Sequence, residues 1–159
     1  MPTQPVTELP LPEGEILDIR QFTQSGLTRL GMLETDEPAD IVRALRAHLD
    51  DHRADAQALD HEGNAFAAFV LDLGHVWGAQ VVRAYGWHWA GLLIGGEDGG
   101  KNVVHPDGRV YVNPVALVYD IVVTPESGNN TALLFNMLDP DVLAAQLRGA
   151  GPGAYQGLH

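Results

Sequence analysis

GWHWAGLLIGGEDGGKNVVHPDG, Gly86–Gly108, is the stretch at which the hydrophobic period of the chain changes. Upstream, apolar residues recur at every third or fourth position; here they alternate. Trp87, Trp89, Gly91 and Leu93 fall on one face of an extended segment, and His88, Ala90, Leu92 and Ile94 on the other. Both faces are mainly apolar, which predicts a central strand. GGEDGG (95–100) reads as a loop, and KNVVH (101–105) and RVYVN (109–113) as two short strands joined at Pro106-Asp107-Gly108, a strong turn signal. The stretch therefore predicts a small three-stranded antiparallel meander.

The segments before it read as helices. From Glu15 to Leu33, Ile16, Ile19, Phe22, Leu27, Leu30 and Leu33 fit a helix interrupted at Ser25-Gly26. Next, Thr35 or Asp36 offers a cap and Pro38 a first turn, followed by Ile41, Leu45, Leu49, His52, Ala56 and Leu59, with Gly63 as the stop. Asn64 is the cap expected for a third helix, whose stripe runs from Phe66 through Trp77 to Ala84. Asp72, His75, Ala79 and Arg83 lie off that stripe, and Gly86 ends the helix. Gly74 and Gly78, one turn apart, permit close approach of a neighbour.

After the meander, Asn113-Pro114 offers a cap and first turn for PVALVYDIVV (114–123), whose β-branched content also suits a strand. TALLFNML (131–138) reads as a short buried helix or strand. Asp139-Pro140 starts a last amphipathic helix running to Gly149. The order is N-terminal helices, a small three-stranded antiparallel meander, then C-terminal helices, and segregation of this kind predicts the α+β class. Residues 1–14, with four prolines, read as an extended or disordered arm; 15–148 form one domain; 149–159 read as a flexible tail.

Composition narrows the function. The chain has 9 basic and 21 acidic residues and a formal charge of −12. That field repels phosphate backbones, which argues against nucleic acid, and attracts a basic protein or a cation. With no cysteine, thiolate nucleophiles, disulfides and Cys-ligated zinc are excluded. The start lacks the basic and apolar regions of a signal peptide, and no apolar run approaches a membrane span. A soluble, cytoplasmic bacterial protein is expected.

LGHVWGAQVVRAYGWHW and VYVNPVALVYDIVV…NNTALLFNML resemble a family of small bacterial domains of unknown function. Its pattern is an LG-x-x-WG helix, a GW-x-W strand, a proline after the last strand and a distal apolar segment. The resemblance covers roughly residues 66–138 and rests on packing positions; the helix at 36–60 lies outside it. Some members resemble immunity proteins that neutralise toxins. No catalytic residue is implied.

Four places could carry chemistry. His48 and His52 in HLDDH lie one turn apart, within reach of one metal such as zinc, with Asp51 and Asp55 beside them and His61 or Glu62 as a third ligand. Leu49 stands where an H-E-x-x-H hydrolase has its glutamate, so a general base is missing there. The bland alternative is two histidines at a core boundary. Asp72 could orient His75 as a base, but the only serines, Ser25 and Ser127, lack a nucleophile-elbow motif; a solvated pair on an exposed helix face is the competing reading. GGEDGG is no phosphate loop, since Asn102 follows Lys101 and two acids would repel phosphate. Trp77, Trp87, Trp89 and Tyr85 could wall a ligand site, but geometry favours core for at least two of the tryptophans.

The expected function is a non-catalytic interaction protein, of immunity or regulatory type, that masks a basic protein. Glu34, Asp36, Glu37, Asp50, Asp51, Asp55, Glu97, Asp98 and Asp107 are its contact candidates. No cofactor is implied, and enzymatic activity is the less favoured reading. The alternative is a metal-assisted hydrolase on His48 and His52. An edge at KNVVH or RVYVN would allow a homodimer.

Overall fold

Gly86 takes a left-handed conformation (φ 73°) and turns the chain from a 22-residue helix into the sheet. The computed structural model describes residues 4–124, 126–146 and 156–158. In chain order the elements are β1 (Val6–Leu9), α1 (Glu13–Leu30), α2 (Pro38–Gln57), α3 (Asn64–Tyr85), β2 (His88–Ile94), β3 (Glu97–Val104), β4 (Val110–Val112), α4 (Pro114–Val123), α5 (Thr131–Met137), α6 (Pro140–Gln146) and β5 (Gln156–Gly157). The class is α+β, with a single sheet.

That sheet has five strands in the order β1-β2-β3-β4-β5, not three. The first three pairings are antiparallel and β4–β5 is parallel, so the sheet is mixed. The two added strands come from the segments expected to be an arm and a tail. Val6–Leu9 lies between Pro5 and Pro10 with no proline inside it, so its backbone can satisfy the outer edge of β2. Residues 149–155 and 159 of the tail, and the part of the last helix expected beyond Gln146, fall outside the described residues. All of KNVVH but His105 lies in β3, between β2 and β4, and RVYVN contains β4, between β3 and β5; neither strand is an outer edge.

GGEDGG is not a loop either. Ile94 pairs with Glu97, leaving Gly95-Gly96 as a two-residue hairpin connection with φ 61° and 83°. The register then slips between Gly91 and Leu93, with one extra residue on the β3 side, where Gly100 has φ 75°. This bulge resets the alternation along β3.

α1 runs unbroken through Ser25-Gly26. A Cβ on Gly26 would meet the Asp72 carbonyl oxygen at 2.5 Å, so this glycine is there for the approach of α3, not for a break. Caps differ from expectation as well. The residues before α2 and α3 are Glu37 and Gly63, without side-chain caps, and Asp36 instead accepts from the Leu33 amide. The Asn113 cap does form: its Oδ1 accepts from Ala116 N at 3.0 Å. Both segments left open between helix and strand, 114–123 and 131–138, are helical apart from Leu138.

The core lies between the helices and one sheet face. Leu45, Leu49, Leu73, Trp77, Val103, Val112, Val118 and Leu134 belong to it, and Trp77 donates Nε1–H to the Thr131 carbonyl at 2.9 Å. Ala90, Leu92 and Val104 form a smaller buried cluster with Val6, Ile94 and Tyr111. β2 is thus apolar on both faces, as its sequence predicts. By length and composition α3 could cross a membrane, contrary to the sequence expectation; here it is packed against α1, α2 and α4, and most of it is buried.

Candidate functional site

Asp72 and His75, read either as an oriented base or as a solvated pair on an exposed helix face, are both buried, at 3% and 0% exposure. α1 covers the side of α3 that carries Asp72. The two side chains are not bonded to each other. Asp72 Oδ2 accepts from Ser25 Oγ at 2.9 Å and from Arg29 at 3.0 Å. Ser25 thus meets the aspartate without the histidine, and no relay through His75 is assembled.

His75 is held by other means. Its Nδ1 lies 2.7 Å from the Leu71 carbonyl oxygen. A carbonyl only accepts, so Nδ1 carries the proton and Nε2 is left with a lone pair. The ring stacks against Phe22 at 4.9 Å and Trp89 at 5.5 Å between centroids. Burial pushes its pKa down to about 4, helped by Lys101 and opposed by the Leu71 hydrogen bond, Asp72 and Asp18. Nε2 is buried and has no hydrogen-bond partner. His75 lines a groove of about 390 Å³ together with Leu71, Lys101, Asn113, Val115 and Tyr119.

His48 and His52 do come together, with ring centroids 4.2 Å apart. They line a second groove of about 350 Å³ with Arg29, Asp55 and Phe69. His48 is held below the usual imidazole range by burial first, then by His52 and Arg29, against the opposing pull of Asp51. Arg29 lies 5.5 Å from the Phe69 ring centroid while its guanidinium holds Asp72. His61 stacks on Phe66 and bonds the Gln57 carbonyl. Among the described residues, no group of three or more His, Asp or Glu is gathered closely enough to hold a metal.

The contact candidates fall into separate places. Glu34, Asp36 and Glu37 lie at the α1–α2 junction; Asp50, Asp51 and Asp55 on α2; Glu97 and Asp98 at the β2–β3 hairpin; Asp107 in the β3–β4 turn. Several have structural duties. Asp50 accepts from Asn129 at 2.9 Å, Asp98 from the Gly100 amide at 2.8 Å, and Asp107 pairs with His105 and Arg109. Glu34, Glu37, Asp51, Asp55 and Glu97 are exposed.

Of the tryptophans, Trp77 and Trp87 are core and Trp89 is half-buried, in contact with His75. Lys101 and Phe22 were missed by sequence reasoning. The signal available was that Lys101 is the only lysine in the chain, directly after a glycine pair that marks a bulge.

No protein family matches this chain, and no curated protein does. Among solved structures it is similar to a protein from Bacteroides thetaiotaomicron VPI-5482, determined by crystallography at 1.50 Å resolution. The TM-score is 0.60 at 14% identity, covering 88% of this chain and 49% of the other. The present chain therefore spans about half the length of that protein. At this identity the likeness is one of fold alone.

Proposed function

We propose that this chain is a non-catalytic interaction protein, of regulatory or immunity type, that binds a basic protein partner. The observation that carries this reading is the placement of charge. Of 21 acidic residues only Asp72 is buried, and Arg29 and Ser25 already answer it. The remaining carboxylates face or border solvent, so the net charge acts outward, where it accelerates encounter with a positive surface and disfavours a negative one. Asp51 and Asp55 on α2, with Glu34 and Glu37 at its start, are the contacts this reading favours. The sequence resemblance is to a family of domains of unknown function, some of whose members resemble immunity proteins, and it is in keeping with this reading.

The test is affinity capture from the native host at low salt, followed by titration of the identified partner against purified protein. A basic partner is expected, with affinity falling about tenfold or more as salt rises from 50 to 200 mM if three or so charge contacts are made. The exposed pair Asp51→Asn/Asp55→Asn should weaken binding and flatten that salt dependence. A neutral partner whose affinity ignores both salt and substitution would overturn the proposal.

A second reading, a metal-assisted hydrolase, draws on the His48–His52 adjacency and the neutral state in which burial keeps His48. It expects near-stoichiometric zinc in purified protein and turnover of a model phosphoester, both lost in His48→Ala. Zinc that neither binds nor raises the melting temperature ends it.

A further inference from the structure

We propose that the groove between α3, β3 and α4 binds a small hydroxycarboxylic acid with a hydrocarbon body, its hydroxyl donating to His75 Nε2 and its carboxylate facing Lys101. This site is independent of the acidic surface discussed above.

Three observations define the ligand chemistry. The first is the orphaned nitrogen. His75 is 0% exposed, its ring stacks on Phe22 and on Trp89, and Nδ1 is committed to the Leu71 carbonyl. His75 lines the groove, and its Nε2 is a buried acceptor with no partner. An unsatisfied buried acceptor is costly, so a ligand that brings an O–H donor gains what the apo protein lacks.

The second is charge. Lys101 is the only lysine in the chain and lines the same groove, its Nζ 5.8 Å from the Phe22 ring centroid. No carboxylate among the described residues forms an ion pair with it. An ammonium without a counter-ion beside a neutral imidazole favours an anion. It also argues against a metal on Nε2, which would have one nitrogen ligand and a repelling cation next to it. Asn113 spends its Oδ1 on the Ala116 amide, so its amide N–H groups remain to donate to the same anion.

The third is the wall. Leu71, Val115, Ala116 and the ring of Tyr119 make the rest of the groove largely apolar, and about 390 Å³ accommodates a short alkyl chain. Gly100, at the bulge, keeps the β3 side free of a side chain beside Asn113.

The experiment titrates the full chain with 3-hydroxyoctanoate, octanoate and methyl 3-hydroxyoctanoate, by calorimetry and by imidazole ¹⁵N NMR. The hydroxy acid should bind tightest. Octanoate, lacking the donor, should bind about fivefold weaker, the equivalent of one neutral hydrogen bond. The ester, lacking the charge, should bind about tenfold weaker, as should the hydroxy acid with Lys101→Met. The His75 Nε2 resonance should shift with the hydroxy acid and not with octanoate. These ligand comparisons use the unaltered protein, so they hold even if His75→Phe fails to fold. Equal affinity for all three compounds, an unmoved Nε2 resonance or no binding at all overturns the proposal.

Discussion

Burial keeps the His75 imidazole neutral down to about pH 4, whereas in an unfolded chain the same ring titrates near 6.5. The sign follows from proton counting. Between those values the unfolded state binds more protons, so folding stability is whole above pH 6.5 and is lost as pH falls toward 4. At about 1.4 kcal/mol per unit, acidification from pH 7 to 5 should cost roughly 2 kcal/mol from this residue. Asp72 on its own helix and Asp18 on α1 soften the loss, and Lys101 on β3 deepens it. His48 contributes in the same direction. Urea unfolding of the wild type and of His75→Phe across this range separates them: the variant should show a distinctly flatter slope. Identical slopes would mean that the ring finds a proton-binding partner in the fold. Sequence periodicity could not reveal this site, because it predicts one apolar stripe while α3 is covered by three other helices. Position 75 falls off the stripe and is buried all the same.

Close packing of α1, α4 and the Trp89 ring of β2 against α3 depends on three glycines. An added Cβ would meet the Asp72 carbonyl oxygen at 2.5 Å from Gly26, the Val115 Cα at 2.8 Å from Gly74, and the Trp89 ring at 2.4 Å from Gly78. Alanine is favoured over glycine inside a helix by about 1 kcal/mol. Overpacking against backbone or a stacked ring costs about 1–3 kcal/mol, and the shortest of these contacts lie at the severe end. Gly26→Ala and Gly74→Ala should therefore destabilise by about 1–2 kcal/mol net. Gly14→Ala, on α1 with nothing within 4 Å, should be neutral or slightly stabilising. Thermal melts of the three variants provide the check, and a stabilised Gly26→Ala would show that α1 can slide away from α3. The Gly74–Gly78 spacing was legible as a close approach because both residues lie on one helix. Gly26 was misread as an interruption, since its partner sits 46 residues away, on another helix. Strands β1 and β5 were hidden for a similar reason. Their stability comes from edges of strands far along the chain, and four or two residues carry too little pattern to announce a pairing.

At the scale of the whole molecule, composition gave the charge but not its arrangement. With −12 on a body whose radius of gyration is about 15 Å, all but one of the carboxylates face or border water. At about 10 mM salt the screening length is about 30 Å, so every carboxylate feels the others; at about 0.1 M it is about 10 Å and only neighbours interact. Self-repulsion strains the compact state more than the unfolded one, whose charges lie farther apart. Salt also weakens favourable pairs, but those are few: Arg29–Asp72 is half-sheltered, while Arg43–Asp40 and Arg109–Asp107 are surface pairs of small worth. The melting temperature at pH 7 should therefore rise between about 10 and 200 mM sodium chloride, with most of the gain below about 0.1 M, where screening changes fastest. A flat or falling curve would mean that attractive pairs outweigh the excess. The same screening removes the attraction between this surface and a basic partner. Fold stability and partner affinity should thus move in opposite directions over one range of salt. If they move together, the partner is reading a salt-sensitive conformation rather than the field of the folded surface.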